Sequence, residues 1–264
     1  MSVAKKTGLL EWLVPLAFTL CAAWSIWNGP AYLITFGFAS EAIIANNEPA
    51  GLVDLLSLAG VVAFFIWGLF TVGISPMEFP EVRGIDRVSV FLGRVTMALV
   101  AGLVCVMFYE VVVRYGFEEP TLWANELSLW MASFVFLLSG LYAMQQRSHI
   151  RIFIIYDMLP RWLQRVCDII STLMIVLFAL ALIYGGTGEA IAKLLRWETF
   201  GTAFDPPIPA TLKPMILIIV AVVALQAISN LIADWNREPE HHTAADEIDA
   251  EEIAALKKSL GKDD

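Results

Sequence analysis

Residues 88–126 read VSVFLGRVTMALVAGLVCVMFYEVVVRYGFEEPTLWANE. From Val88 to Val113 the chain is apolar for longer than the roughly 20 residues needed to cross a hydrocarbon layer. A carboxylate, Glu110, and a cation, Arg114, stand at its end. A short polar loop, 115–121, follows, and a second apolar stretch begins at Leu122 with Asn125 and Glu126 near its start. Two crossings joined by so short a loop must run antiparallel as a hairpin, with charges gathered at its tip. A soluble core helix has no use for this length of unbroken apolar sequence.

Working outward, the same pattern recurs. Apolar blocks at 9–27, 55–74, 122–144, 166–184 and 214–233 accompany 88–113, which makes about six transmembrane helices. A further block, 31–45, is too short to cross. It includes Glu41 and reads as a re-entrant or interfacial piece. The whole chain of 264 residues is 58% hydrophobic and 16% charged, against about 25% charged in soluble domains. The expected fold class is therefore all-α: a polytopic membrane protein with a short interfacial helix and a cytoplasmic tail helix. The interfacial piece is 150–159, too short to span and interrupted by Arg151 and Asp157; the tail helix opens at Thr243-Ala-Ala-Asp246 with a capping-box-like pattern. Three regions follow: 1–75, an extension with two spans; 76–235, a four-helix domain; and 236–264, an acidic tail. The division falls in ISPMEFPEVR, a polar stretch with two prolines.

Charge fixes the expected direction. With the N-terminus inside, nine Lys and Arg fall in or near cytoplasmic loops and four outside, as the positive-inside bias requires. Both termini are then cytoplasmic. The first span follows Lys5 and Lys6 but is too long for a signal-peptide core, so it reads as an uncleaved anchor. Of the net charge of -9, most sits in the tail, where residues 234–264 hold ten acids and four bases. No basic stripe exists to displace counterions from a phosphate backbone, so nucleic-acid binding has no support.

The chemistry available is sparse. The three histidines all lie outside the spans, so haem ligation within the bundle has no basis. His241-His242 reads as a solvated pair. Cys21, Cys105 and Cys167 are far apart and embedded in apolar sequence, reading as small buried hydrophobes. No phosphate loop, nucleophile elbow or zinc-protease motif occurs. Neither an enzyme nor a bound cofactor or metal is expected.

What remains are ionisable residues in or near the apolar zone: Asp54, Glu110, Arg114, Glu126, Asp168 and Glu189. Each needs a partner or a wet location, because a charge at mid-membrane costs about 2.5–3.5 kcal/mol on insertion scales. Glu110 and Arg114 are four apart with the acid first, the favourable helical order. Glu126 either closes the hairpin against Arg114 or meets a second protein within the membrane; both readings stand at this point. The centres of the spans, 99–108 and 173–181, are uninterrupted, whereas self-contained secondary transporters break their helices near the midplane. An accessory or scaffold role follows. A membrane anchor for another complex and a self-contained carrier are the alternatives.

Arg114-Tyr-Gly-Phe, Pro120, Trp123-Ala-Asn-Glu126-Leu127, then Arg147-Ser-His149-Ile150-Arg151 and Leu159-Pro160 resemble the small membrane subunit, DctQ type, of tripartite ATP-independent periplasmic (TRAP) transporters. Phe204-Asp-Pro-Pro-Ile-Pro ahead of Lys213-Pro214, with Gln226 in the last span, is similar to the usual fourth-span entry. The resemblance implies uptake of small organic acids by sodium symport across a bacterial inner membrane. It implies two protein partners besides the lipid bilayer: a large membrane permease subunit that carries substrate, and a periplasmic substrate-binding protein. Glu110, Arg114, Trp123 and Glu126 are then candidates for the subunit interface or for structural charge. Arg147, His149 and Arg151 form a motif at the cytoplasmic interface. The family usually has four spans, so the two at the N-terminus are a departure, expected to pad the scaffold against lipid.

Overall fold

The computed structural model describes residues 9–73, 78, 84–147, 156 and 159–235. Among them the regular elements are eight helices. The first hairpin pairs α1 (Leu10–Trp27) with α4 (Leu52–Thr71), and its connection holds two short helices, α2 (Gly29–Thr35) and α3 (Glu41–Asn46). The second pairs α5 (Gly84–Gly116) with α6 (Ala124–Gln145), and the third pairs α7 (Arg161–Arg196) with α8 (Ile208–Asp234). The all-α, polytopic expectation holds. Five helices, α4 to α8, are long and apolar enough to cross a membrane. α1 is shorter, 18 residues with Pro15 inside, or about 27 Å by helical rise. The block 31–45 is divided between α2 and α3, neither long enough to cross.

Two spans run well past their apolar cores. α5 has 33 residues and α7 has 36, about 50 Å or more against a hydrocarbon layer near 30 Å. α7 continues through Glu189, Lys193 and Arg196 until Trp197 turns left-handed, at φ 47°, and ends it. The interfacial reading of 150–159 falls almost wholly outside the described residues, and the tail helix at 236–264 does so entirely.

The α1–α4 hairpin packs on α5, α6 packs on α8, and α7 lies against α8. The joint between the first hairpin and the rest is Phe91, fully buried. Its ring meets Phe18 and Phe65 edge-on, with centroids 5.4 and 5.7 Å apart. It also occupies the space beside Gly68, where a Cβ would stand 2.1 Å from the ring. Val14, Val95, Leu138, Leu141 and Ile219 complete the core. Lipid is as apolar as these side chains, so close packing and polar contacts, rather than water exclusion, hold such helices together.

The polar contacts concentrate at the end opposite the loops 28–51, 117–123 and 197–207. There Arg94 donates to Glu78 at 2.7 Å, both side chains 6% exposed, and the Tyr142 hydroxyl donates to the other Glu78 oxygen at 2.6 Å. The Arg94 guanidinium also sits 5.8 Å over the Trp12 ring. Nearer the start of α5, Gln226 ties α8 to it: its amide donates to Asp86 at 2.6 Å, and its carbonyl accepts from Ser89 at 3.0 Å. Asn230 continues the chain to the Met144 carbonyl at 2.7 Å. Buried polar groups left without partners are expensive in this medium, and these are mutually satisfied.

Candidate functional site

The other end of the bundle, called here the loop end, gathers the charged residues singled out in the sequence. Glu110 lies on the last turns of α5 and is 3% exposed. One carboxylate oxygen accepts from Arg114 Nε at 2.9 Å and from its Nη2; the other accepts from the Thr121 backbone at 3.2 Å and from the Thr121 hydroxyl. The acid that closes the α5–α6 hairpin is thus Glu110, tying its own helix to the loop before α6. Trp123, just ahead of α6, stacks on Tyr109 with centroids 5.8 Å apart. It buttresses the same hairpin.

Glu126 goes elsewhere. From the first turn of α6 its carboxylate accepts a hydrogen bond from the Thr202 hydroxyl, across a sequence separation of 76 residues. No ion pair to Glu126 occurs among the described residues, and Arg114, the cation expected beside it, is taken by Glu110. Glu126 is partly exposed. Among the described residues this carboxylate is held by one neutral hydroxyl.

The loop that carries Thr202 is built stiffly. Asp205, at φ 56°, accepts from the Gly201 amide at 2.6 Å, and the Phe200 amide donates to the Pro206 carbonyl at 3.0 Å. The first hairpin braces it from outside. The Trp197 ring lies where a Cβ at Gly29 would come within 1.8 Å, so only glycine fits there. Trp27 stacks on Phe204 at 5.4 Å and meets Trp130 at 6.1 Å, while Trp130 Nε1 donates to Thr211 at 2.9 Å. Through Trp27 and Gly29, α1 and α2 thus hold the loop that faces Glu126.

The other ionisable residues singled out in the sequence, Asp54, Asp168 and Glu189, each have a partner. Asp54 accepts from Trp24 Nε1 at 2.9 Å and caps α4 through the Gly51 amide at 2.9 Å. Asp168 accepts from the Tyr156 hydroxyl at 2.8 Å. Glu189 pairs with Lys213, and Lys193 pairs with Glu198. At the opposite end Arg147, at φ 54°, pairs with Asp234 at 2.6 Å and so locks the end of α6 to the end of α8. His149 and Arg151 lie outside the described residues. Sequence reading missed Thr121 and Thr202 as partners, because a hydroxyl carries no charge pattern to betray its role. It also missed the clasp of Glu78, Arg94 and Tyr142, although an arginine in the opening turns of a span is a signal of a buried pair.

A family model, the DctQ component of tripartite ATP-independent periplasmic transporters, matches residues 103–237, covering Glu110, Arg114, Trp123, Glu126 and the whole of α6 to α8. No curated protein and no solved structure matches the chain.

Proposed function

Since this chain belongs to the DctQ-component family of tripartite ATP-independent periplasmic transporters, we propose that it is the scaffold subunit of a transporter importing small organic acids by sodium symport. Membership makes it a small transporter component of the inner membrane, multi-pass and outside the enzyme classes. In the proposed assembly a large permease subunit moves substrate and ion, a periplasmic binding protein delivers the substrate, and this chain holds the permease in place. The loop end then faces the periplasm, and both termini face the cytoplasm.

The observation that carries this reading is the continuity of α5 and α7 through 99–108 and 173–181. Broken helices, whose exposed backbone ends bind substrate and ion at the midplane, mark the transporting subunit of such systems. Regular, unbroken helices suit a stationary scaffold. Glu126 is the proposed contact to the large subunit, because one hydroxyl leaves most of its lone-pair capacity for a donor on a partner.

Reconstitution tests the proposal. In proteoliposomes with an inward sodium gradient, this chain alone accumulates no organic acid, and uptake requires the large subunit and the binding protein together. Uptake by this chain alone would make it a self-contained carrier. Orientation is checked in intact cells with a cysteine-free background: a cysteine at Asn47 reacts with an impermeant maleimide and one at Thr243 does not.

A further inference from the structure

The first hairpin meets the rest of the bundle at two separate joints. One is the Phe91 core, where Phe18, Phe65 and Leu69 close on α5. The other is the loop end, where Trp197 covers Gly29 and Trp27 stacks on Phe204. Between them the walls stand apart around a cavity of 340 Å³ lined by Ile26, Leu58, Phe134, Pro214, Met215 and Ile218. Its lining is almost wholly apolar, and Ile218 on its rim is 57% exposed, so the gap opens sideways to the surroundings. At the depth of the spanning helices those surroundings are hydrocarbon.

An unfilled gap of that size forfeits the dispersion contacts of every atom lining it. Water gains nothing there, since it needs several polar partners to enter a cavity. Hydrocarbon fits without loss. Charge at the loop end suits the rest of such a molecule. Lys193 is paired with Glu198 and Lys213 with Glu189, while Arg196 is exposed and has no ion pair among the described residues. Arg196 directly precedes Trp197, one of the residues that line the cavity. We infer that the cavity is a lipid site: one acyl chain of a membrane phospholipid fills the gap between the first hairpin and α8, with its phosphate at Arg196. The two N-terminal spans thereby form one wall of a lipid-binding site, and the lipid completes the packing that joins them to α6, α7 and α8, the helices the family model covers in full.

The test uses the full chain reconstituted in vesicles of phosphatidylethanolamine and phosphatidylglycerol. A phosphatidylglycerol bearing a photoactivatable group on its acyl chain is included, and the protein is then exchanged into mild detergent to strip loosely held lipid. Native mass measurement should find one phospholipid retained per chain. Irradiation should place the adduct on the peptides carrying Leu58 or 208–218, not on the lipid-exposed face of α7 around Phe178. Ile218→Trp fills the gap from α8 and should lower retention about tenfold, the equivalent of ~1.4 kcal/mol; Leu58→Trp fills it from α4 and serves if the first variant does not fold. Arg196→Gln should weaken retention less, and the wild-type lipid should persist when the large subunit is bound. Retention unchanged by both filling variants, adducts confined to α7, or loss of the lipid on assembly, which would mean that a partner helix occupies the gap, would each overturn the inference.

Discussion

The two ends of the bundle use carboxylates differently. At the end away from the loops, Glu78 is buried, paired with Arg94 and capped by Tyr142, so its charge is fully engaged within the chain. At the loop end Glu126 is partly exposed and, among the described residues, accepts from the Thr202 hydroxyl. Glu110 lies between these extremes, buried like Glu78 yet paired with an Arg114 whose side chain is 46% exposed. The lesson is that position in the membrane does not decide what an acid does. The number and kind of its partners do: a saturated carboxylate holds helices together, and an unsaturated one is available to another chain.

Breaking the first kind should hurt folding most. Glu78→Gln leaves Arg94 buried without its counter-charge, and loss of one partner of a buried pair costs about 3–5 kcal/mol. The melting temperature of the isolated chain in detergent should fall by more than for any other variant named here. The double replacement Glu78→Met with Arg94→Met should recover much of that loss, since neither charge is then stranded. If the single variant melts like the wild type, the contrast between the two ends fails. Next comes Gln226→Leu, which takes the acceptor from the buried Ser89 hydroxyl and one donor from Asp86; an unsatisfied buried group costs about 1–3 kcal/mol, again read from the melting curve. Glu110→Gln removes the tie between α5 and the loop at Thr121. It should lower the melting temperature less than Glu78→Gln does, and make the 117–123 loop more sensitive to proteolysis.

These contrasts were only partly legible in the sequence. Spans α4 to α8 are readable because unbroken apolar length is a strong signal, and the pairing of Glu110 with Arg114 follows from helical periodicity alone. The extent of α7 is not, because Gly185, Gly186 and Gly188 followed by Glu189, Lys193 and Arg196 read as an end, yet the helix runs through them; the stop is the left-handed Trp197. Thr202 as the partner of Glu126 is invisible for a different reason. That contact joins α6 to a loop far along the chain, and it exists only after α8 has packed on α6. The cover of Gly29 by Trp197 is of the same kind: a close approach of two segments that neither segment announces.

The smallest expected effect on folding is the most informative about function. Glu126→Gln keeps an acceptor for Thr202 and removes a partly exposed charge, so stability should change by no more than about 0.5 kcal/mol. The measurement that bears most directly on the scaffold role is co-purification of the large permease subunit with this chain, wild type against Glu126→Gln, alongside the melting curve of each chain alone. A contact between Glu126 and the large subunit gives an unchanged melting curve and a clear loss of co-purified large subunit. An unchanged yield of the complex, or a loss matched by an equal drop in the chain's own stability, would contradict it.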